Sequence, residues 1–375
     1  MPTKADLPTP ALVLDLDRFE ANVKKLAEFS RQSGRSLRPH AKTHKCPEIA
    51  QRQIAAGALG ISAATVAEAE GLAAAGIRGI LLTSPIITAT KLARMVELAK
   101  NDPELMLAVG HPREAELLAA AAEQAGVDVG VLVDIDVGDH RTGITPGAPA
   151  LELAKLLSRS KRLRVRGVQA YAGSASHVVG FAAREKYSRE VMARAVETRK
   201  QLQSAGFDAA ILSGASTGTY NIDGAIDGMT ELQCGSYVFM DVDYRRIGGR
   251  DGATYADFQP SLKVLSSVVS ATLGDRVTID AGTKAIDTTT SNSPVVEDHP
   301  EIVYKRAGDE FGIVTVDGDS ANGGPLPKIG DRIEFIVPHC DPTVCLHDRI
   351  YACRGEMVEA VWPIVARRET ELRNG

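Results

Sequence analysis

Two hydrophobic rhythms divide the chain. Up to about residue 240, short β-branched or apolar runs alternate with longer Ala/Leu/Glu/Lys-rich stretches whose apolar residues recur at helical spacing. After an opening strand at Ala11–Leu16, eight such runs follow: Ser36–Lys42, Gly60–Ala64, Gly79–Ser84, Leu105–Gly110, Val127–Asp136, Leu163–Ala172, Ala209–Gly214 and Leu232–Phe239. The spacing predicts helices at Asp17–Ser33, Thr65–Ala75, Ala89–Lys100, Arg113–Ala125, Ala150–Ser158 and Ala182–Ala205, while the stretch between Gly214 and Leu232 is short and Gly-rich. Eight β-then-α units predict an α/β fold built on a (β/α)8 barrel of TIM type. A doubly wound open sheet is the alternative, but it more often stops at about six strands, and no GxGxxG follows the first strand here.

From about Gly249 the helical period vanishes. Runs such as SLKVLSSVVSATL, RVTIDAG, GIVTVDG, DRIEFIVPH, DRIYACRG and EAVWPIVAR alternate with Gly/Asp/Pro/Asn turns, which predicts a C-terminal antiparallel β domain. The boundary falls in GGRDG, Gly248–Gly252. The expected division is a barrel over residues 23–248 and a β-strand domain made of residues 1–22 with 249–375.

Composition narrows the function classes. With 375 residues, 44% hydrophobic and 24% charged, the chain reads as globular and long enough for two cores. A net charge of −5 without a basic stripe argues against nucleic acid as a partner. No apolar run reaches the roughly 18 residues of a membrane span, and the N-terminus lacks a signal-peptide pattern. The odd number of cysteines, five, suits thiols in a reducing cytoplasm.

In such a barrel, reactive groups belong at the C-terminal ends of strands. Reading those positions gives Lys42 in RPHAKTHK, Arg141 in DIDVGDHRTG, Tyr171 and His177 in QAYAGSASH, the turn SGASTGTY at 213–220, and Gly235 and Ser236 in ELQCGSYVF. Gly, Ser and Thr at the last two strand ends offer backbone N–H groups and hydroxyls suited to a phosphate, although tight turns alone would look the same. Lys42 stands beside His40, His44 and Lys45, where desolvation and like charge are expected to lower its pKa and favour a Schiff base. A phosphate cradle and such a lysine on one face suggest pyridoxal 5′-phosphate (PLP). In PHCDPTVCLHD, His339 and Asp341 are two apart, so an extended segment turns both to one side, as a site for Mn²⁺, Mg²⁺ or Zn²⁺ requires. Two other readings stay open here: a structural zinc site of Cys340, Cys345, His347 and Cys353, whose spacing fits no usual pattern, and a plain polar turn.

Taken together, RPHAKTHK, DVGDHRTG, QAYAGS, the STGT turn, ELQCGSYVFMD, IDAGTK and PHCDPT resemble the D-threonine aldolase / D-serine dehydratase family of fold type III, alanine-racemase-like PLP enzymes. The likeness runs from TPALVLDLDRFEAN (9–22) to VEAVWPIVAR (358–367) and is strongest towards the aldolases. It implies that Lys42 carries the cofactor, that Arg141 contacts its phenolic oxygen and that Tyr171 bonds its pyridine nitrogen. By the same likeness Thr217, Gly218 and Thr219 with Gly235, Ser236 and Tyr237 cradle the phosphate, and His339 and Asp341 hold the metal, Mn²⁺ foremost. The implied activity is retro-aldol cleavage of β-hydroxy-D-amino acids such as D-threonine or D-phenylserine to glycine and an aldehyde, with His177 assisting near the hydroxyl. A homodimer with shared active sites is also implied.

Asp341 favours the aldolase branch, because the dehydratases typically have cysteine there. The alternatives are a dehydratase acting on D-serine or 3-hydroxy-D-aspartate and a non-catalytic PLP-binding protein. Departures from the aldolase pattern are Phe311 in DEFG where histidine is common, Ala64 in SAAT (62–65), and Ala172 and Ser176 in YAGSASH.

Overall fold

The computed structural model describes residues 2–317 and 325–368. In chain order the first nine strands are β1 (Ala11–Asp15), β2 (Ser36–Leu37), β3 (Ser62–Ala63), β4 (Leu81–Leu82), β5 (Met106–Val109), β6 (Val129–Asp134), β7 (Leu163–Ala170), β8 (Ile211–Gly214) and β9 (Glu231–Leu232). They are followed by β10 (Leu262–Leu273), β11 (Arg276–Ile279), β12 (Val295–Val296), β13 (Ile302–Arg306), β14 (Gly312–Val316), β15 (Arg332–Ile336), β16 (Arg349–Arg354) and β17 (Met357–Pro363). Two compact units share them: Lys24–Gly235 with the segment from Val365, and the N-terminal segment to Val23 with Ser236–Ile364.

In the first unit, strands β2 to β9 form one parallel sheet in the order β2-β9-β8-β7-β6-β5-β4-β3. A parallel bridge between His40 and Ser62, with the Ser62 N–H donating to the Pro39 carbonyl at 2.8 Å, joins the two ends and closes the ring. Each of the eight apolar runs meets a barrel strand, although Leu232–Phe239 shares only Leu232 with β9 and then enters a 3₁₀ turn at Ser236–Val238. The strands are shorter than most of the runs, because residues at the run ends turn into loops. Ser36–Lys42, for example, leaves the ladder at Leu37 and ends in the 3₁₀ turn Ala41–Thr43 that carries Lys42.

The predicted helices are present as Leu16–Ser33, Val66–Ala74, Ala89–Asn101, Pro112–Ala125, Ala148–Leu157 and Phe181–Ser204. A further helix, Pro47–Ala55, was not foreseen; Pro sits at its first turn and Ile49, Ala50 and Gln53 are buried, a face too short to stand out as a period. The Gly-rich stretch holds one helical turn, Tyr220–Asp223.

In the second unit one nine-stranded sheet runs β13-β14-β11-β10-β1-β16-β17, with β15 pairing both β10 and β12. Its pairings are antiparallel except β1 with β16, which is parallel, so the sheet is mixed rather than purely antiparallel. Strands β12 and β13 and the helix Cys340–Val344 were not foreseen. The unit begins at Ser236 rather than at residue 249. Past Gly235 the backbone bonds within this unit, with the N–H groups of Val242 and Asp243 donating to the carbonyls of Val337 and Pro338, both at 3.1 Å, and Ser261 to Phe239 at 2.8 Å.

One buried ion pair anchors the loop that carries Lys42. Glu68, on the helix Val66–Ala74, accepts the Ala64 N–H at 2.7 Å and pairs with the ammonium of Lys45; both side chains are buried. Lys45 is thus turned away from the cation group read from the sequence. Glu68→Gln leaves a buried ammonium without its counter-charge, and we expect it to lower the unfolding free energy by about 3–5 kcal/mol in urea melts.

Candidate functional site

The C-terminal ends of the barrel strands surround a cavity of about 280 Å³ whose lining includes His40, Lys42, Asp134, Arg141, Gln169 and Tyr171. Lys42, Arg141 and Tyr171, which lie far apart in sequence, are therefore brought together. The Arg141 guanidinium lies over the Tyr171 ring, 5.6 Å from its centroid. Asp139 fixes this pairing. Its carboxylate accepts the N–H groups of Gly173 at 2.7 Å and Ser174 at 2.8 Å, tying the loop that bears Arg141 to the segment just after Tyr171. A Cβ on Gly173 would come 2.7 Å from the Asp139 carboxylate and 2.9 Å from the Tyr171 ring, so the approach needs glycine. Asp136 folds the same loop by accepting from Gly138 at 2.9 Å and His140 at 3.0 Å.

Beside the cavity, the turn after β8 is held from behind. Arg184, fully buried on the helix Phe181–Ser204, donates Nε to the Gly218 carbonyl at 2.8 Å. One helical turn on, Ser188 donates to Asp223 at 2.5 Å, and Asp223 also accepts the Thr219 hydroxyl at 2.5 Å. The Thr219 N–H donates to the Ser216 carbonyl at 3.2 Å. Both donors of Thr219 are thus spent within the turn, which corrects its expected part as a donor to phosphate; it shapes the turn that Thr217 and Gly218 complete. Gly235 approaches the Lys42 turn closely, since a Cβ there would lie 2.7 Å from Thr43 Oγ1. Ser236 is buried, with its carbonyl accepting from Phe239 at 3.1 Å and Met240 at 2.8 Å. Tyr237 is buried edge-to-face on Phe258 with ring centroids 5.5 Å apart. His177 is exposed at the end of the helix Gly173–Ser176 and does not line the cavity.

In the second unit, His339 and Asp341 do not lie on an extended segment. His339 is the extended residue capping the helix Cys340–Val344, and Asp341 lies in that helix's first turn. His339 Nδ1 faces Asp241 Oδ2 at 3.2 Å. Burial opposes the imidazolium, but its hydrogen bond to Asp241 and the charges of Asp241, Asp341 and Asp243 outweigh it and lift the His339 pKa to about 9. An imidazole and a carboxylate are donors whose chemistry suits a divalent cation. Among the described residues no three His, Cys, Asp or Glu side chains form a ready metal-binding group, so the protein offers a pair and not a cage. The zinc alternative falls on the same ground. Its members engage separate partners: Cys340 the Met240 carbonyl at 3.5 Å, His347 the Ala285 carbonyl at 2.9 Å and Cys353 the Tyr351 carbonyl at 3.4 Å.

Sequence reasoning missed Asp134, Asp139, Arg184, Asp223 and Asp241. Asp139 and Asp241 lay inside quoted motifs as unassigned carboxylates, whereas Arg184 looked like an ordinary polar helix position.

The chain matches the family described as "Alanine racemase, N-terminal domain" over residues 14–243, and that described as "Putative serine dehydratase domain" over residues 261–353. It is 36% identical to a D-threonine aldolase of an Arthrobacter species, covering 97% of this chain and 93% of that protein. It is 32% identical to a 3-hydroxy-D-aspartate aldolase of Paracoccus denitrificans, with coverage again of 97% and 93%. The crystal structure of a D-threonine aldolase from Filomicrobium marinum superposes with a TM-score of 0.90 at 36% identity, over 97% of this chain and 96% of that one.

Asp134, at the end of β6, generates a pH prediction. Burial pushes its pKa from 3.8 up to about 6, against hydrogen bonds from Gln169 and Thr142. The folded protein therefore binds a proton more firmly than the unfolded chain between these pH values, and stability falls as pH rises through that window. Two pKa units correspond to about 3 kcal/mol. Asp134→Asn escapes this penalty, so in the cofactor-free protein its stability relative to the unsubstituted chain should rise by about that amount between pH 3.5 and 7, as measured by urea unfolding at each pH.

Proposed function

Because the chain belongs to the alanine racemase N-terminal domain family, we propose that it is a lyase dependent on PLP and a divalent metal, cleaving β-hydroxy-D-amino acids of the D-threonine and D-phenylserine type to glycine and an aldehyde. The observation that carries this reading is the near full-length likeness to D-threonine aldolases in both sequence and fold. The convergence of Lys42, Arg141 and Tyr171 on one cavity supports the cofactor assignment.

Bound PLP would supply the electron sink for the carbanion left when Cα–Cβ breaks, and a divalent ion a Lewis acid that makes the β-hydroxyl easier to deprotonate. The residues present fit both. Lys42 offers the amine that anchors the cofactor. Arg141 and Tyr171, locked together by Asp139, are the groups for its ring edge. The Thr217–Gly218 turn, braced by Arg184, receives the phosphate with Gly235 and Ser236. His339 and Asp341 hold the ion, Mn²⁺ first and Mg²⁺ or Zn²⁺ next, with water and substrate completing its shell. In overall balance the β-hydroxyl loses its proton and its oxygen becomes the aldehyde carbonyl. The Cα–Cβ pair stays on Cα, which takes up a proton to give glycine.

A homodimer is the proposed active form. The five cysteines, present as thiols, suit a reducing cytoplasmic setting. Among the described residues no helix is long and apolar enough to cross a membrane.

A dehydratase is the second reading, favoured by the match of residues 261–353 to the serine dehydratase domain. A product assay on the PLP- and Mn²⁺-supplied protein separates the two: glycine plus aldehyde from D-threonine or D-phenylserine supports the aldolase, and pyruvate from D-serine supports the dehydratase. Lys42→Ala should abolish turnover and the visible absorbance of the purified protein. Asp341→Ala, or chelation, should lower kcat by at least about a hundredfold while that absorbance persists.

A further inference from the structure

One buried carboxylate in the second unit has no part in the reading above. Asp241 is fully inaccessible, and its hydrogen bonds reach both the His339–Cys340 segment and its own following turn. Oδ2 accepts the Cys340 N–H at 3.0 Å and faces His339 Nδ1 at 3.2 Å, while Oδ1 accepts the Tyr244 N–H at 3.0 Å. The carboxylate is therefore held at both oxygens before it meets the imidazole.

The backbone leading into it is strained. Met240, the residue before Asp241, has φ 52° although it is not glycine. Its N–H donates to the Ser236 carbonyl at 2.8 Å, and its carbonyl accepts the Cys340 thiol at 3.5 Å. A left-handed residue of this kind persists where its surroundings over-determine it, and here they aim one side chain at His339.

We propose that Asp241 is a positioning residue for the metal, taking the Nδ1–H of His339 and so leaving Nε2 as the ligating nitrogen. The inference rests on the reading that His339 and Asp341 hold the ion. An ionised carboxylate only accepts, so the ring proton must sit on the nitrogen that faces it. Such a partner fixes tautomer and ring plane and makes the other nitrogen a better donor; its loss typically costs about 10–100-fold in metal affinity. Asp241→Asn is the informative change. The amide has a single acceptor oxygen, so it turns an NH₂ towards at least one of the N–H groups that the carboxylate now accepts, and it carries no charge.

The test titrates Mn²⁺ into the full-length, PLP-loaded protein and follows free Mn²⁺ by electron paramagnetic resonance. The unsubstituted protein should show a site that His339→Gln abolishes. Asp241→Asn should weaken that site by about 10–100-fold with the PLP absorbance unchanged, measured at a temperature below the metal-free melting transition of both proteins. If His339→Gln binds Mn²⁺ as well as the unsubstituted protein, the site reading itself fails. If His339→Gln loses the ion but Asp241→Asn binds it undiminished, this proposal alone is overturned. Should Asp241→Asn not fold, ¹⁵N-histidine NMR of the Zn²⁺-loaded unsubstituted protein decides. The histidine signal missing from His339→Gln must show a protonated Nδ1 and a Zn²⁺-bound Nε2, and the opposite pattern overturns the assignment.

Discussion

Inside the barrel, polar side chains are buried in an unbroken hydrogen-bonded series, and the cavity above depends on it. Arg38 pairs with Glu231 at 3.0 Å, and Glu231 accepts the Ser213 hydroxyl. Gln233 donates to Ser213 at 2.8 Å and to Gln169 at 3.4 Å, and Gln169 donates to Asp134 at 2.9 Å. A buried polar group without a partner costs about 1–3 kcal/mol, so each member is held by the next. The series starts at a buried ion pair between β2-end and β9 residues and finishes at three cavity-lining residues, Gln233, Gln169 and Asp134. Rigidity in the scaffold is thereby handed to the groups that face a ligand.

Loops at the strand ends line the cavity but are not left to themselves. Glu68 binds the Lys42 loop through Lys45, Asp139 binds the Arg141 loop to the Tyr171 segment, and Arg184 with Asp223 binds the turn after β8. Each link joins two different loops or a loop and a helix. The cavity-lining residues are consequently set relative to one another by buried or part-buried charged groups.

Much of this was legible in the sequence for a definable reason. Parallel strands buried on both faces leave continuous apolar runs, so all eight barrel strands could be found from their runs alone, and strand-end positions then pointed to Lys42, Arg141 and Tyr171. What stayed hidden depends on partners remote in sequence. Lys45 looked like one more cation beside Lys42, because nothing local reveals Glu68, 23 residues on, as its counter-charge. Thr219 looked like a phosphate donor until Asp223 and Ser216 were seen to use its hydroxyl and N–H. The His339–Asp341 spacing was read as an extended segment, whereas a five-residue helix begins between the two residues.

The last described stretch of chain returns to the barrel. Val365 donates its N–H to the Lys45 carbonyl at 2.8 Å, and the Lys45 ammonium reaches the Ala366 carbonyl at 3.3 Å, across 321 positions of sequence. A chain synthesised from its N-terminus therefore has all eight barrel strands available long before this stitch can form. The loop that carries Lys42 is therefore stitched to its last partner only after the intervening sheet unit has been synthesised.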